Sequence, residues 1–230
     1  MTKTSPIVFF GTEDFSLFSL RALVQAGFPV RLIITKPDTK RGRGGKIASP
    51  AVKLFAAEHG IPVLQPQKLS EITDAVQRLD HPAGVLVSYG KIIPQAVIDL
   101  FYPGIINVHP SLLPLYRGPS PIESAIANRD AKTGVTLMQL SKAMDAGPLY
   151  YQVPYALDQT ETRPELYQTL GQLGANILVQ QLPAILNGSV QPIPQNDAEA
   201  TYCQLLTKES SYLDVASLTP GQAEARIRAH

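Results

Sequence analysis

Residues Ile7 to Ile34 read IVFFGTEDFSLFSLRALVQAGFPVRLII. Four consecutive apolar residues, Ile7 to Phe10, run into Gly11-Thr12, and the stretch from Phe15 to Gln25 is amphipathic at helical spacing. Asp14 is placed to cap that helix and Gly27 to close it. Val30 to Ile34 is a second short apolar run. Strand, helix and strand in so little chain make a βαβ unit, which sets the expectation of an α/β fold: a doubly wound, mostly parallel, Rossmann-like sheet. A dinucleotide-binding fingerprint would place several glycines after the first strand and an acidic residue at the end of the second. Only Gly11 is there, so an NAD site is disfavoured.

Outward from this unit the same alternation continues. Ser49-Pro50 predicts the start of a helix running to His59, with Gly60 as its stop. Val63-Leu64 predicts a short strand, Ser70 caps a helix to about Leu79, and Gly84 to Val87 form the next strand. Gly104 to His109, GIINVH, is a buried strand ended by Pro110. A helix is expected from Pro121 to Ala127. Gly134 to Leu140 alternates like a strand with one less buried face, Leu149 to Leu157 is extended, and Arg163 to Leu186 is one long helix closed by Asn187-Gly188. From Ser189 the texture turns to Pro192, Pro194 and short polar stretches, with a possible last helix at Gln222 to His230.

Composition narrows the function classes. A chain of 230 residues that is 44% hydrophobic can bury a core of its own, and its formal charge is only +1. Nucleic-acid contact would have to be local, and Thr35 to Ser49 offers the one concentrated source, five basic residues and three glycines expected to form an exposed, mobile loop. It is not a phosphate-binding Walker loop, because Lys40 stands where that motif needs glycine and Ile47 follows Lys46. A single cysteine, Cys203, rules out an internal disulfide framework and suits a reducing cytoplasm. The four histidines have no ligand spacing, so no metal is expected. The sequence MTKTSPIVFF is not a signal peptide, and no stretch is long enough to cross a bilayer, so no membrane role is expected.

Side chains alternate along a strand, so Asn107 and His109 share one face, at the carboxyl end of a central strand where open α/β sheets bind ligands. With Asp145 in a glycine turn, AMDAGP, they supply an amide, a base and a carboxylate, the parts for acyl-type transfer to a substrate that brings its own amine. Ser111 lacks the glycine-flanked elbow of a hydrolase nucleophile. From spacing alone, strand-end capping and ordinary turn chemistry are favoured over catalysis for these three residues.

The motifs decide otherwise. NVHPSLLP at Asn107 to Pro114, RGPSPI at Arg117 to Ile122, GVTLMQL at Gly134 to Leu140 and MDAGPL at Met144 to Leu149, with VFFGTEDFS, KPDTKRGRGGK, SPAVKLFAAEHGIPVLQP and SYGKIIP, resemble the methionyl-tRNA formyltransferases in order and spacing. The strand-end and SLLP motifs are shared with folate-dependent formyltransferases more widely, and the Arg/Gly-rich loop points to the tRNA enzymes. The resemblance implies a formyltransferase fold with Asn107, His109 and Asp145 catalytic. It implies a folate pocket lined by Tyr89, Gly90, Ser111, Leu112, Leu113 and Pro114, and tRNA contact by Arg41, Arg43 and Lys46. The implied co-substrate is 10-formyltetrahydrofolate, whose formyl carbon the amine of methionyl-initiator tRNA attacks. Asn107 and His109 would donate to the resulting oxyanion, and no metal takes part. The alternative is a folate-dependent formyltransferase or formyl-folate hydrolase acting on a small amine or water.

A cytoplasmic monomer is expected. Residues 1–188 are expected to be the catalytic domain and 189–230 an extended, linker-like tail packed on it. The family's basic β-barrel domain, roughly a hundred residues, is expected to be absent. Pro148 stands where the family often has an acidic residue.

Overall fold

The structure, a computed structural model, describes residues 5–41, 46–214 and 216–230. β1 (Ile7–Gly11) is buried along its whole length, as expected of a continuous apolar run at the centre of a sheet. α1 (Ser16–Gln25) returns the chain to β2 (Val30–Ile34), which pairs parallel with β1. Asp14 is not a side-chain cap. The helix starts from Phe15, already in helical conformation, and the Ser16 hydroxyl donates to the Glu13 carbonyl at 2.6 Å.

The basic stretch after β2 differs from the loop expected of it. Thr39–Arg41 (β3) and Lys46–Ala48 (β4) form an antiparallel hairpin in which Arg41 lies opposite Lys46. Its base is tied down: the Asp38 carboxylate accepts from Lys53 Nζ and Gln65 Nε2, both at 2.7 Å, and from Ser49 Oγ at 3.0 Å. The bonds from Lys53 and Gln65 hold the Asp38 pKa below the usual carboxylate value. Polar anchoring at the base supplies order that an apolar count could not reveal. Arg43 lies outside the described residues.

α2 (Ala51–Glu58) and β5 (Val63–Leu64) follow, with β5 parallel to β2. The helix expected from Ser70 is split into a 3₁₀ turn, Leu69–Ile72, and α3 (Thr73–Gln77), because Glu71 reaches back to the Lys68 amide at 3.0 Å and tightens the first turn. β6 (Ala83–Val87), α4 (Gln95–Ile98), β7 (Ile105–His109) and α5 (Pro121–Ala127) continue the winding. β8 (Lys132–Gln139) and β9 (Leu149–Ala156) then run antiparallel to their predecessors, giving a seven-stranded sheet of order β5-β2-β1-β6-β7-β8-β9.

α6 (Arg163–Leu186) crosses back over the sheet and α7 (Pro220–Ala229) packs on α5. α1, α2 and α6 cover one face, against Ile7, Phe9, Val85, Val87, Ile106 and Val108. α3 and α4 cover the other, against Val8, Phe10 and Ile105. Gly171 and Gly174 let α6 come close: a Cβ on Gly171 would collide with the Phe18 ring of α1, and one on Gly174 would sit 2.9 Å from Val108 of β7.

β8 is buried on both faces rather than one. Val135 and Leu137 belong to the core beneath α6. On the other face the Thr136 hydroxyl donates to the Ser111 carbonyl at 2.6 Å, and Met138 lies beside Gly147. Loops, not a helix, cover that side, and hydrophobic periodicity does not report coverage by loops.

Candidate active site

The core beneath α3 and α4 ends at Ile105. Asn107 and His109 stand on the same face of β7 as Ile105, each 5% exposed, but beyond the last helix. The space above them is taken by the loop between β8 and β9, which brings in Asp145 with its side chain 16% exposed. Asn107 Nδ2 donates to Asp145 Oδ1 at 3.4 Å, and His109 Nδ1 lies 3.8 Å from Asp145 Oδ2. Asp145 itself sits at φ +47°, in the left-handed region that Asp tolerates better than most residues. The three side chains named from the sequence therefore meet at one point.

The next segment fixes the histidine. His109 Nε2 lies 2.9 Å from the Tyr116 carbonyl, and since a carbonyl can only accept, Nε2 carries the proton. Nδ1 is the ring nitrogen left facing Asp145. The Gly118 amide donates to Asp145 Oδ2 at 2.9 Å, so one loop orients both members of the pair.

Ser111 is fully buried and its hydroxyl donates to the Leu115 carbonyl at 2.6 Å. Gln152 Nε2 on β9 holds the Leu113 carbonyl at 2.8 Å, and the Leu113 side chain is buried. Leu112 and Pro114 are half-buried. Tyr89 is also inside, edge-on to Phe10 with ring centroids 5.6 Å apart, and burial pushes its pKa up to about 12.

Gly90 is exposed at φ +70°, and a Cβ there would collide with Lys36 Nζ. The group that comes close to this glycine is thus the first lysine of the basic stretch. Thr12 staples the ends of β1, β2 and β6 together: its hydroxyl donates to the Tyr89 carbonyl at 3.1 Å and accepts from the Lys36 amide at 3.3 Å. Lys91 Nζ donates to the Pro66 carbonyl at 3.0 Å.

Two supporting residues were not legible. Arg117 is 2% exposed, and Gln195 comes from the proline-rich stretch after α6. Gln195 Nε2 donates to the carbonyls of Asp145 and Gly147 at 2.8 and 2.7 Å. Arg117 lay inside a quoted motif, but nothing marked its guanidinium as buried. Gln195 carried no signal at all. Among the described residues no cluster of His, Cys, Asp or Glu could hold a metal ion, and no helix is long and apolar enough to cross a membrane. A cavity of about 740 Å³ lies away from these groups, between the end of α5 and α7, lined by Arg129, Thr219, Gln222 and Arg226 among others.

An amide and an imidazole on one strand of an open α/β sheet, met by a carboxylate from the loop between β8 and β9 and with the nearest hydroxyl already committed, are parts that suit a group-transfer enzyme whose substrate brings its own nucleophile. The formyl transferase family matches residues 6–182, and the chain belongs to it, among the methionyl-tRNA formyltransferases. The methionyl-tRNA formyltransferase of Nitratidesulfovibrio vulgaris strain DP4 is 43% identical over 233 residues, 99% of this chain and 70% of that protein. That of Synechococcus sp. strain JA-3-3Ab is 43% identical over 213 residues, 90% of this chain and 66% of that protein. The chain thus spans about two thirds of the length of these relatives. Among solved structures, the Helicobacter canadensis N-formyltransferase in complex with folinic acid and dTDP-3-aminofucose superposes with a TM-score of 0.75 at 19% identity, covering 98% of this chain and 80% of that one. The phosphoribosylglycinamide formyltransferase of Bacillus halodurans gives 0.66 at 22% identity, covering 80% and 97%. At these identities the likeness is one of fold.

Proposed function

We propose that this chain transfers a formyl group from 10-formyltetrahydrofolate to the amino group of methionyl-initiator tRNA, with Asn107, His109 and Asp145 as its catalytic residues. The observation that carries the reading is the convergence of those three side chains, 3.4 and 3.8 Å apart, on an almost dry face of β7 in a chain whose curated relatives have this activity in their name. The bound folate would supply an activated formyl carbon. The residues present fit that demand: two N–H-bearing groups and a carboxylate converge, while the Ser111 hydroxyl is occupied by Leu115.

One N–H of the Asn107 amide is turned to Asp145, and its second is left to donate to the oxygen on which negative charge develops. His109 exchanges its proton at Nδ1, because Nε2 is held by Tyr116. Nδ1 is unprotonated in this tautomer, so it would first accept the proton released by the amine, then as N–H donate to the same oxygen, and finally pass the proton to the folate nitrogen as its bond to the formyl carbon breaks. Asp145, fixed by Asn107 and the Gly118 amide, orients the ring and balances its charge. The Tyr89–Gly90 and Ser111–Pro114 loops leave neighbouring strands at the same end of the sheet and are the proposed folate contacts. They would act through backbone groups and the half-buried Leu112 and Pro114, since Tyr89, Ser111 and Leu113 point their side chains inward. Arg41 and Lys46 of the hairpin, with Arg43 between them in the sequence, are the proposed contacts to the tRNA backbone. The proposed setting is a reducing cytoplasm, which a single buried thiol suits, and the proposed state is a monomer.

The test is formyl transfer from 10-formyltetrahydrofolate to methionyl-initiator tRNA, run beside amino-sugar nucleotides and a control without acceptor, at two salt concentrations. Transfer to tRNA that falls as salt rises is expected. Transfer only to a small amine, or hydrolysis alone, would replace the tRNA acceptor with that substrate.

A further inference from the structure

The stretch after α6 lies beyond the residues matched by the formyl transferase family, 6–182, yet it is bonded into the active site. The isolated bridge between Arg117 and Tyr202 lays it beside the loop that follows β7, with the Arg117 amide donating to Thr201 at 2.8 Å and the Cys203 amide donating to Arg117 at 2.9 Å. The approach is close enough that a Cβ on Gly118 would collide with the Cys203 carbonyl. Gln195 then joins two parts of the site. Its Oε1 accepts from Arg117 Nε and Nη2 at 3.1 and 2.8 Å, and its Nε2 donates to the carbonyls of Asp145 and Gly147.

We infer that Gln195 is a positioning residue for formyl transfer, holding the backbone of the Asp145 loop against the buried guanidinium of Arg117. Every polar atom of its amide is used, and every bond has one end in the loop that bears Asp145 or in the residue preceding Gly118. Gly118 donates to the Asp145 carboxylate, so Arg117 and Gln195 close a ring: Asp145 carboxylate, Gly118, Arg117, Gln195, Asp145 carbonyl. Such a ring fixes both the backbone and the carboxylate of a residue standing at φ +47°. Asp197 also bonds Arg117, at 2.7 Å, and balances the charge of the buried guanidinium from the solvent side. The role rests on the activity proposed above, because positioning has meaning only for a residue that works.

Two substitutions separate positioning from mere docking of the tail. Gln195→Ala removes all four bonds. Gln195→Glu keeps the acceptor that Arg117 uses and loses the two donors that reach the Asp145 loop. Full-length chains are compared for thermal midpoint, kcat and KM for folate and acceptor, and amide hydrogen exchange over residues 144–147. The expected result for Gln195→Glu is a midpoint close to wild type, kcat lower by at least tenfold, KM values within about twofold, and exchange in the loop faster by tenfold or more. Wild-type kcat, or unchanged exchange, in Gln195→Glu would overturn the role. A wild-type chain inactive with every acceptor would overturn the activity reading by itself, and the exchange data would still decide whether Gln195 anchors the loop.

Discussion

His109 donates a hydrogen bond from Nε2 to the backbone carbonyl of Tyr116, 2.9 Å away. A backbone acceptor seven residues along the same chain fixes both ring tilt and tautomer, and directs Nδ1 at Asp145. His109→Ala removes the Nδ1 that faces Asp145, and with it the oxyanion donor that this nitrogen becomes once protonated. We expect kcat to fall about a hundredfold or more, the usual cost of losing one oxyanion donor. Single-turnover formyl transfer at saturating substrates measures it, and near-normal turnover would remove His109 from the chemistry.

Asn107→Asp places a second carboxyl within hydrogen-bonding reach of Asp145 Oδ1. Two carboxylates so close cannot both ionise at low cost, so one of the pair takes a folded-state pKa above its unfolded value. Stability tied to that proton is present at low pH and lost as pH rises. The melting temperature of the variant relative to wild type should therefore be highest near pH 4 and drop toward pH 7, with turnover abolished throughout. A constant difference across pH would show that the two groups do not interact.

Gly171→Val is expected to destabilise the fold by about 1–3 kcal/mol, because a side chain there must displace the Phe18 ring. This is so even though a Gly-to-Val change in an open helix would gain a few tenths of a kcal/mol in propensity. Urea unfolding measures the shift, and an unchanged midpoint would mean that α1 and α6 have room between them.

Burial raises the Cys203 thiol pKa, which lowers its thiolate fraction at any given pH. Its sulfur also accepts from the Ser120 amide at 3.3 Å. Alkylation by iodoacetamide at pH 8 should be at least tenfold slower in the native chain than in urea. Equal rates would show that the segment around Cys203 leaves the surface easily.

Replacing Arg41, Arg43 and Lys46 together by Ala should raise KM for the tRNA acceptor and flatten its salt dependence, by about one unit of log–log slope per lost phosphate contact. Turnover with a small amine should not change. A tRNA KM that stays put would move the acceptor-binding surface elsewhere.

Legibility followed the range of the forces involved. Pro121 and the pair Asn187-Gly188 mark helix ends by local backbone chemistry, and α5 and α6 have the boundaries their sequences indicate. Asn107 and His109 could be placed on one face because alternation along a strand is local too. What failed was decided by distant chain. Thr136 is buried by the Ser111 loop, Asp38 is anchored by Lys53 and Gln65, and Gln195 acquires its use from residues 48 to 78 positions earlier. A polar residue whose partners lie that far back has no periodicity to betray it. The motif resemblance could name Asp145 but not what holds it.

The ring through Asp145, Gly118, Arg117 and Gln195 also sets an order of events at the ribosome. A chain growing from its amino end has all seven strands of the sheet and the whole of α6 outlined in sequence before Gln195 is added. The scaffold is thus specified well ahead of the last support for its reactive loop. Until that glutamine emerges, the carboxylate has its partners but the backbone of Asp145 lacks its tie to Arg117.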